Sequence, residues 1–360
     1  MTSPLLTAHR VGVDALGDYP ERIDVRSPAE FAKDHVPGAC NHPVLDNSER
    51  ARIGSAYASS PFVARKMGAA LVARNIAAML ESAFIDKPRE WQPLVYCWRG
   101  GQRSRALTHV LNEVGWRAMQ LEGGYRAYRR HVVARLATLP TPYSFVVLCG
   151  LTGSGKSRLL TALGEAGAQT LDLEGLARHR GSLLGDWPGD PQPSQKWFES
   201  QLLESLQRLD PSQVVFVESE SKRIGALQMP ESLLERMRAG RGLTLVTPRA
   251  QRVALLKDEY RHFLADPAAL VDRLQRLTEL HGKGTIARWK RLTEAHDWDT
   301  LVAELLALHY DPTYGRSLER NFPSAQQAFR IELGDVSAAG FAALAREVLV
   351  MSETIQPVES

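Results

Sequence analysis

Short apolar runs alternate with longer helical patterns through the first part of the chain. The runs at 21–27 (ERIDVRS) and 92–97 (QPLVYC) are typical of strands, and 118–121 is a weaker third one. The Ala-rich stretch 63–80 predicts a helix, and the apolar positions within 106–111 predict another. Strands that alternate with helices in this way indicate an open, mainly parallel sheet with helices on both faces.

The same alternation begins again after the Pro-Thr-Pro joint at 140–142. A buried-strand pattern at 143–149 (YSFVVLC) runs directly into a Gly-rich loop. From about 250 to 310 the pattern becomes helical. Further strands are predicted at 169–173, 214–217, 243–246 and 329–333. The chain is therefore predicted to fold as two α/β domains.

Composition narrows the class of protein. The chain has 360 residues, of which 44% are hydrophobic and 24% charged, so it is globular and long enough for two domains. Its formal net charge is only +3, so any basic surface that binds an anionic partner must be a local patch. Three cysteines are too few for a disulfide framework. Because residues 1–17 lack a basic segment before an apolar core, and no apolar run approaches the roughly 20 residues of a membrane span, we expect a cytoplasmic protein with no membrane partner.

A reactive cysteine is indicated where the second predicted strand ends. Residues 97–104, CWRGGQRS, join that strand to a predicted helix, and their two glycines let successive N–H groups point inward. The helix N-terminus, Arg99 and Arg103 can all stabilise an anion carried on the sulfur. Cys97 is therefore the predicted nucleophile. The predicted anion cradle is Trp98, Arg99, Gly100, Gly101, Gln102, Arg103 and Ser104.

Segments 24–41 (DVRSPAEFAKDHVPGACN), 96–104 and 121–128 (LEGGYRAY) resemble the rhodanese fold. In that family the loop cysteine carries a persulfide, and Asp24 and Arg26 would lie near the loop as contacts or as structural supports. One departure concerns spacing, because the arginine falls at the seventh loop position, as in the larger loops of rhodanese-related phosphatases and arsenate reductases. A ring of this size is expected to admit a phosphate-like donor such as selenophosphate, as well as a persulfide.

A phosphate-binding loop follows the first strand of the second domain. Residues 150–157, GLTGSGKS, match G-x4-G-K-[ST] between a predicted strand and a predicted helix. Lys156 would neutralise phosphates and Ser157 can ligate Mg²⁺, but the strand 214–217 ends in Glu218 where a Walker B strand has Asp. A diphosphate leaving group could use the same cradle without ATP hydrolysis. The predicted phosphate-binding residues are Gly150, Leu151, Thr152, Gly153, Ser154, Gly155, Lys156 and Ser157, and no resident metal ligand is assigned.

A rhodanese module followed by this P-loop module resembles the bacterial tRNA 2-selenouridine synthases over nearly the whole chain. The less generic matching stretches are 41–57 (NHPVLDNSERARIGSAY), 172–185 (DLEGLARHRGSLLG), 195–200 (QKWFES) and 217–225 (VESESKRIG). The resemblance implies an N-terminal rhodanese-like domain with a parallel sheet at 8–138. It also implies a P-loop NTPase-like α/β domain at 139–360, with a helical portion at about 250–310.

The resemblance further implies a two-step transferase acting on tRNA that carries 2-thiouridine at the wobble position. Geranyl diphosphate first alkylates the sulfur, and selenium from selenophosphate then replaces the geranylthio group to give 2-selenouridine. Cys97 would carry the selenium as a perselenide, and 150–157 would hold either geranyl diphosphate or a nucleotide. No tightly bound cofactor is implied, and Mg²⁺ is an optional ion. The alternative is a rhodanese-type sulfurtransferase fused to an ATP-dependent small-molecule kinase, which needs no RNA.

Basic residues that stand beside aromatic residues or glycines are candidates for contact with tRNA or with phosphate. Lysine and arginine patches supply affinity for phosphates, while aromatic rings stack on unpaired bases. The ordinary alternative is a solvated helix face or a helix cap. The candidates are Arg126, Arg129, Arg130, His179, Arg180, Arg249 and Arg252.

Overall fold

The fold is given by a computed structural model that describes residues 9–322 and 329–353. Within these residues the chain forms two five-stranded parallel sheets with helices, each in its own compact unit. The predicted α/β fold with parallel sheets is confirmed. Among the described helices, none combines the length and the apolar character that a bilayer crossing needs.

The first unit contains the chain as far as Arg135 and the separate segment Ser194–Glu204. Its strands are β1 (Arg10–Val11), β2 (Arg22–Asp24), β3 (Ala39–Asn41), β4 (Leu94–Tyr96) and β5 (Met119–Leu121). Its helices are the 3₁₀ turn Val13–Asp18, α1 (Pro28–Lys33), α2 (Asn47–Ser59), α3 (Pro61–Glu81), α4 (Gln102–Val114) and α5 (Gly124–Thr138).

The strand order β1-β5-β4-β2-β3 places the functional loop of the first unit. All neighbouring strands are parallel, so the carboxyl ends of β2 and β4 lie at one edge of the sheet. The chain goes from β2 outwards to β3 and returns to β4 on the other side, which opens a crevice where the order reverses. The residue that follows β4 is Cys97.

Apolar side chains from one face of the β2–β4 region and from α3 and α4 form a core cluster of the first unit. The predicted helix 63–80 occurs as α3, which buries Leu71 and Ile76. The predicted strand 21–27 is shorter in the structure because Ser27 begins α1 with a capping box that includes Glu30. The buried cluster contains Ile23, Val25, Val44, Ile76, Met79, Phe84, Trp91, Val95, Cys97, Leu107, Leu111 and Ala118.

The second unit holds the other sheet and the helical region. Its strands are β6 (Ser144–Cys149), β7 (Gln169–Leu171), β8 (Val214–Glu218), β9 (Arg223–Ile224), β10 (Leu227–Gln228), β11 (Arg241–Val246) and β12 (Phe329–Glu332). The helices that follow α5 belong to this unit except for most of α8. They are α6 (Lys156–Glu165), α7 (Leu173–Ala177), α8 (Gln195–Gln207), α9 (Glu231–Ala239), α10 (Arg249–Glu259), α11 (Arg261–Ala265), α12 (Pro267–Gln275), α13 (Thr278–Glu294), α14 (Trp298–Leu305), α15 (Asp311–Asn321) and α16 (Ala338–Glu353).

Strand β6 lies at the centre of this sheet, whose order is β12-β11-β6-β8-β7. The chain leaves β6 towards β7 and β8 and later reaches β11 on the other side, so the crevice of this sheet opens at the carboxyl end of β6. Every strand predicted between 143 and 333 is confirmed, and β9 and β10 add an antiparallel ribbon. The predicted helical region at 250–310 is confirmed as α10 to α14, and its core surrounds the fully buried Trp289.

Ser194–Glu204 belongs to the first unit although its neighbours in sequence belong to the second. The Ser200 hydroxyl donates to the buried Asp34 carboxylate at 2.9 Å, and Tyr125 donates to the same carboxylate at 2.6 Å. Arg129 forms ion pairs with both Asp34 and Glu199. The predicted limits 8–138 and 139–360 do not anticipate this segment, and the outer limits 8 and 360 lie outside the described residues.

Candidate functional site

The thiol of Cys97 lies between the end of β4 and the first turn of α4, where it is 3% exposed. The N–H of Gly101 donates to Sγ at 3.3 Å, and the hydroxyl of Ser104 donates to it at 3.2 Å. Because α4 begins at Gln102, the positive end of the helix lies beside the sulfur. The loop therefore provides two donors and a favourable field for negative charge on Cys97.

Two glycines allow this loop to fold closely against the residues that precede α5. Gly100 and Gly124 have φ angles of +61° and +56°, which favour glycine. A Cβ atom on Gly124 would lie 2.3 Å from the carbonyl oxygen of Cys97 and 2.4 Å from the nitrogen of Gly100. The N–H of Tyr125 donates to that same Cys97 carbonyl at 2.9 Å. The backbone of the cysteine is thus held from both sides.

The side chain of Gln120 on β5 stabilises the cysteine loop by hydrogen bonds, a role that sequence analysis missed. Its buried amide donates to Ser104 Oγ at 2.7 Å and lies 3.0 and 3.1 Å from the carbonyl oxygens of Gly100 and Gly101. Since β5 is the direct neighbour of β4, a polar residue on this strand faces the start of the loop. An isolated glutamine within the apolar pattern of 118–121 was the available signal.

The two loop arginines have different surroundings. Arg103 donates to the carboxylate of Glu30 at 3.0 Å, whereas Arg99 is exposed. Burial acts to raise the pKa of Glu30, but the hydrogen bond and the positive charge of Arg103 outweigh it and hold that pKa below its ordinary value. Trp98 lies beside the ring of Tyr125, with 5.2 Å between the ring centroids. The carboxylate of Glu30 therefore orients the guanidinium of Arg103.

Asp24 and Arg26 lie together in the interior. Their ion pair measures 2.6 Å, and each is at most 1% exposed. The Arg26 guanidinium also lies 3.9 Å from the ring centroid of Tyr125, whose N–H binds the Cys97 carbonyl. This placement favours the structural alternative, in which the two residues stabilise the loop through the contact between Arg26 and Tyr125.

The phosphate loop joins β6 to α6, with Lys156 as the first residue of the helix. The Lys156 ammonium donates to the carbonyl oxygen of Gly150 at 2.8 Å and lies 5.0 Å from the ring of Tyr314. Gly153 and Gly155 have φ angles of +74° and +91°, as a loop that turns its N–H groups inward requires. The loop geometry is compatible with an anion held at the N-terminus of α6.

Three glutamates meet beside this loop. Atoms of Glu174, Glu218 and Glu220 that could ligate a cation lie within 4.8 Å of one another, and the Ser157 hydroxyl donates to Glu174 at 3.3 Å. Within the described residues, neither carboxylate oxygen of the buried Glu218 has a hydrogen-bond partner. Burial raises the pKa of Glu218 to about 7, and burial with the neighbouring Glu218 charge raises the pKa of Glu220 to about 8.

Sequence analysis named Ser157 as a residue that can ligate Mg²⁺ and Glu218 at the place of the Walker B acid, but it did not predict the cluster that Glu218 forms with Glu174 and Glu220. Glu174 is the third residue after β7, and Glu218 is the last residue of β8. Since β7 and β8 are parallel neighbours, their carboxyl ends meet at the same edge of the sheet. The acidic residue after each predicted strand was a signal in the sequence, but the strand order was needed to join them.

A cavity of about 340 Å³ opens next to the phosphate loop. Its wall includes Lys156 and Ser157 from the loop, Glu174 and Glu220 from the cluster, and the predicted candidate Arg180. The wall also contains residues that sequence analysis missed, namely Tyr260, His309, Thr313 and Tyr314. An anion in this cavity would meet two cationic side chains and the end of a helix.

Two further candidates, Arg252 and His179, are buried against carboxylate side chains. Arg252 is 3% exposed, pairs with Asp311 at 2.5 Å and donates to the carbonyl oxygen of Thr152 at 2.9 Å. Arg252 therefore stabilises the phosphate loop through this hydrogen bond, and its guanidinium is not exposed to a ligand. His179 is also buried and lies 3.3 Å from a carboxylate oxygen of Asp186.

The other basic candidates differ in exposure. Arg126 and Arg130 are exposed on α5, whereas Arg129 between them is engaged by Glu199 and by the Ser200 hydroxyl. The guanidinium of Arg129 is therefore half-buried and paired within the first unit. Arg249 is exposed at the start of α10, apart from the residues that line the 340 Å³ cavity.

Comparison with known proteins gives consistent matches for both parts of the chain. A family model described as the tRNA 2-selenouridine synthase AAA domain matches residues 143–273, and a model of the rhodanese-like domain matches residues 14–131. The tRNA 2-selenouridine synthase of Sulfurovum sp. is 32% identical over 331 residues, which cover 83% of this chain and 89% of that protein. The tRNA 2-selenouridine synthase of Shewanella sediminis is 31% identical over 361 residues, covering 88% and 94%.

Proposed function

Because the chain belongs to the family of tRNA 2-selenouridine synthases, we propose that it is a tRNA-modifying enzyme that converts 2-thiouridine at the wobble position into 2-selenouridine. The observation that carries the proposal is the presence of two anion cradles in one chain. One surrounds the thiol of Cys97, and the other is the loop 150–157. Two such sites suit a reaction sequence that uses a diphosphate and then a selenophosphate.

The first step we assign to the phosphate loop. The sulfur of 2-thiouridine attacks C1 of geranyl diphosphate, the C1–O bond breaks, and diphosphate leaves while the base loses its N3 proton. Lys156 and Arg180 both border the 340 Å³ cavity, so they would neutralise the charge that develops on the leaving diphosphate. S-alkylation is chemically useful because it converts the thiocarbonyl group into one that can depart as a thiolate.

Magnesium fits the residues beside this loop. The glutamate cluster includes Glu218, whose carboxylate is buried without a hydrogen-bond partner among the described residues, and oxygen ligands suit Mg²⁺. Ser157, Glu174, Glu218 and Glu220 would hold the ion. When bound, it would supply positive charge that stabilises the diphosphate.

The second step we assign to Cys97. Its thiolate attacks the selenium of selenophosphate, an S–Se bond forms and the P–Se bond breaks. The electron pair of the P–Se bond leaves with phosphorus as phosphite, so selenium is oxidised to the level of a perselenide while phosphorus is reduced. The terminal selenium of the resulting perselenide attacks C2 of the geranylated base, and geranylthiolate departs. A thiol reductant then cleaves the S–Se bond to release 2-selenouridine, and a second thiol reduces the mixed disulfide left on Cys97. Gly101 and Ser104 would stabilise negative charge on the cysteine sulfur.

The exposed Arg126 and Arg130 are the proposed tRNA contacts of the first unit, because their charges are open to solvent on one helix. Replacing either arginine with alanine should weaken tRNA binding and make the affinity less dependent on salt, since fewer phosphates are then neutralised. Arg129 offers a matched internal comparison, since its side chain is already paired with Glu199.

Mass spectrometry of nucleosides tests the proposal directly. A tRNA with 2-thiouridine is incubated with the full-length protein, geranyl diphosphate, selenophosphate and a thiol, and each component is omitted in turn. Geranylated thiouridine without selenophosphate, and selenouridine only with both donors, are the expected products. Without the thiol, tRNA should remain covalently attached to Cys97. Unchanged thiouridine from folded protein, together with ATP turnover, would instead support the sulfurtransferase–kinase alternative.

A further inference from the structure

An apolar cavity of about 50 Å³ lies next to the phosphate-binding cavity, within the second unit. Its wall is formed mainly by side chains of four helices, α10, α11, α12 and α14. The principal apolar members are Leu256, Phe263, Leu270, Leu301, Val302 and Leu305. Such a cavity favours a hydrocarbon group, because it offers few polar partners to replace water.

The two cavities share part of their walls. Thr152 of the phosphate loop, Leu256, Tyr260 and Tyr310 border both of them. Leu256 also packs against the loop itself, since a Cβ atom on Gly153 would lie 2.6 Å from Leu256 Cγ. A ligand whose charged end lies at the loop can therefore place an apolar end beside Leu256 and Tyr260.

The volume distinguishes the classes of ligand. A water-sized atom needs about 10–15 Å³ by this measure, so about 50 Å³ holds about three to five such atoms. One isoprene unit has five carbon atoms, whereas a nucleobase has about twice as many non-hydrogen atoms and needs hydrogen-bond partners. In size and in polarity the cavity therefore suits a hydrocarbon group no larger than about one isoprene unit, and not a nucleobase.

Part of the cavity wall consists of deeply buried side chains. Leu270, Leu301 and Leu305 are each at most 5% exposed and belong to the core that surrounds Trp289. A longer chain would have to displace these side chains, and a shorter one would leave the apolar space unfilled. Both cost free energy in a well-packed interior.

We propose that this cavity binds the second isoprene unit of the prenyl diphosphate and so sets the length of the transferred chain at two units. The inference rests on the proposed function, in which the phosphate loop holds the diphosphate. Leu270 and Val302 are then specificity-determining residues. The first isoprene unit lies in the larger cavity, beside Leu256 and Tyr260, where C1 can meet the sulfur of the base.

A chain-length experiment tests the assignment with full-length protein and 2-thiouridine tRNA. Prenylation rates are measured with dimethylallyl, geranyl and farnesyl diphosphates, and only their ratios within one variant are compared, so that the folded fraction cancels. Leu270→Ala should raise the farnesyl-to-geranyl ratio by about tenfold or more, since pocket differences of this size have such effects. Val302→Phe should lower the geranyl-to-dimethylallyl ratio by about the same factor.

Leu274→Ala is the matched control. Leu274 lies one turn after Leu270 on α12, is equally buried in the same core and does not line the cavity. It should leave both ratios at their wild-type values. If wild-type protein transfers geranyl groups but Leu270→Ala and Val302→Phe leave the ratios unchanged, the cavity assignment is overturned while the proposed function stands. If folded wild-type protein transfers no prenyl group at all, both fall.

Discussion

Replacing Gln120 with methionine tests how the cysteine loop is held in its functional shape. The buried Gln120 amide faces three acceptors, the carbonyl oxygens of Gly100 and Gly101 and the hydroxyl of Ser104. Because an amide NH₂ carries two hydrogens, it satisfies at most two of these acceptors well at one time. Methionine has a similar volume and donates no hydrogen bond, so the substitution removes the donors and largely preserves the packing.

The expected loss of stability follows from this geometry. Two hydrogen bonds at about 1 kcal/mol each give a decrease of about 2 kcal/mol in the free energy of unfolding. The loop itself should loosen, because the carbonyl groups of Gly100 and Gly101 lose the amide that orients them. We therefore expect selenium transfer at Cys97 to slow by about tenfold, which corresponds to about 1.4 kcal/mol in the barrier. The KM for tRNA should not change, since Gln120 is buried.

Urea unfolding and nucleoside mass spectrometry measure these two effects on the same preparations. Geranylation serves as an internal reference, because the proposed mechanism assigns it to the other unit. Gln92→Met is the matched control, as Gln92 is an exposed residue of the first unit. If Gln120→Met unfolds at the same urea concentration as Gln92→Met and transfers selenium at the wild-type rate, the amide does not hold the loop and the reasoning is refuted.

Three other substitutions address the two sites. In metal-free buffer, Glu218→Gln should raise the free energy of unfolding by about 3 kcal/mol at pH 8 and have no such effect at pH 4. The reason is that burial in the folded state raises the pKa of Glu218 from 4.5 to about 7, so the folded protein loses stability as the pH rises from 4.5 to 7. Urea unfolding of this variant, compared with that of the exposed control variant Glu235→Gln, measures the effect. Cys97→Ser should abolish selenium incorporation and spare geranylation, and loss of both products in the same nucleoside assay would contradict the division of labour. Lys156→Ala should slow geranylation by about 100-fold or more while pre-geranylated tRNA still accepts selenium, as separate single-step assays can measure.

The position of both loops could be predicted from the sequence because their backbone geometry is local. Residues 97–104 and 150–157 each follow an apolar strand and precede a helix, and the glycines within them permit the required turns. Backbone N–H groups supply much of each cradle, so a contiguous segment is sufficient. Sequence pattern alone therefore identified the position of Cys97 and of Lys156.

The glutamate cluster was not predictable in the same way. Glu174 and Glu218 are separated by a helix and a long connection, and only the adjacency of β7 and β8 brings their strand ends together. The same is true of Gln120, whose function depends on the register of β5 beside β4. Sheet order and register are long-range properties that a periodicity of two residues does not encode.

Burial also separated arginines that look alike in the sequence. Arg126, Arg129 and Arg130 form one basic run, but the helix turns Arg129 towards Asp34 and Glu199 and leaves the other two exposed. Arg252 likewise forms an ion pair with Asp311 and contacts the phosphate loop at Thr152. A counter-ion that is distant in the chain decides each case, so charge patterning could indicate candidates but not assign their roles.

The return of Ser194–Glu204 to the first unit has a consequence for the order in which the protein folds during synthesis. Asp34 binds a partner that is synthesised 166 residues later, and 69 residues separate Arg135 from the end of that segment. At about 5–20 residues per second, the ribosome needs about 3–14 s to supply them. Residues 150–157 emerge within this interval, so the nascent chain carries its phosphate loop before the cysteine-bearing unit can close.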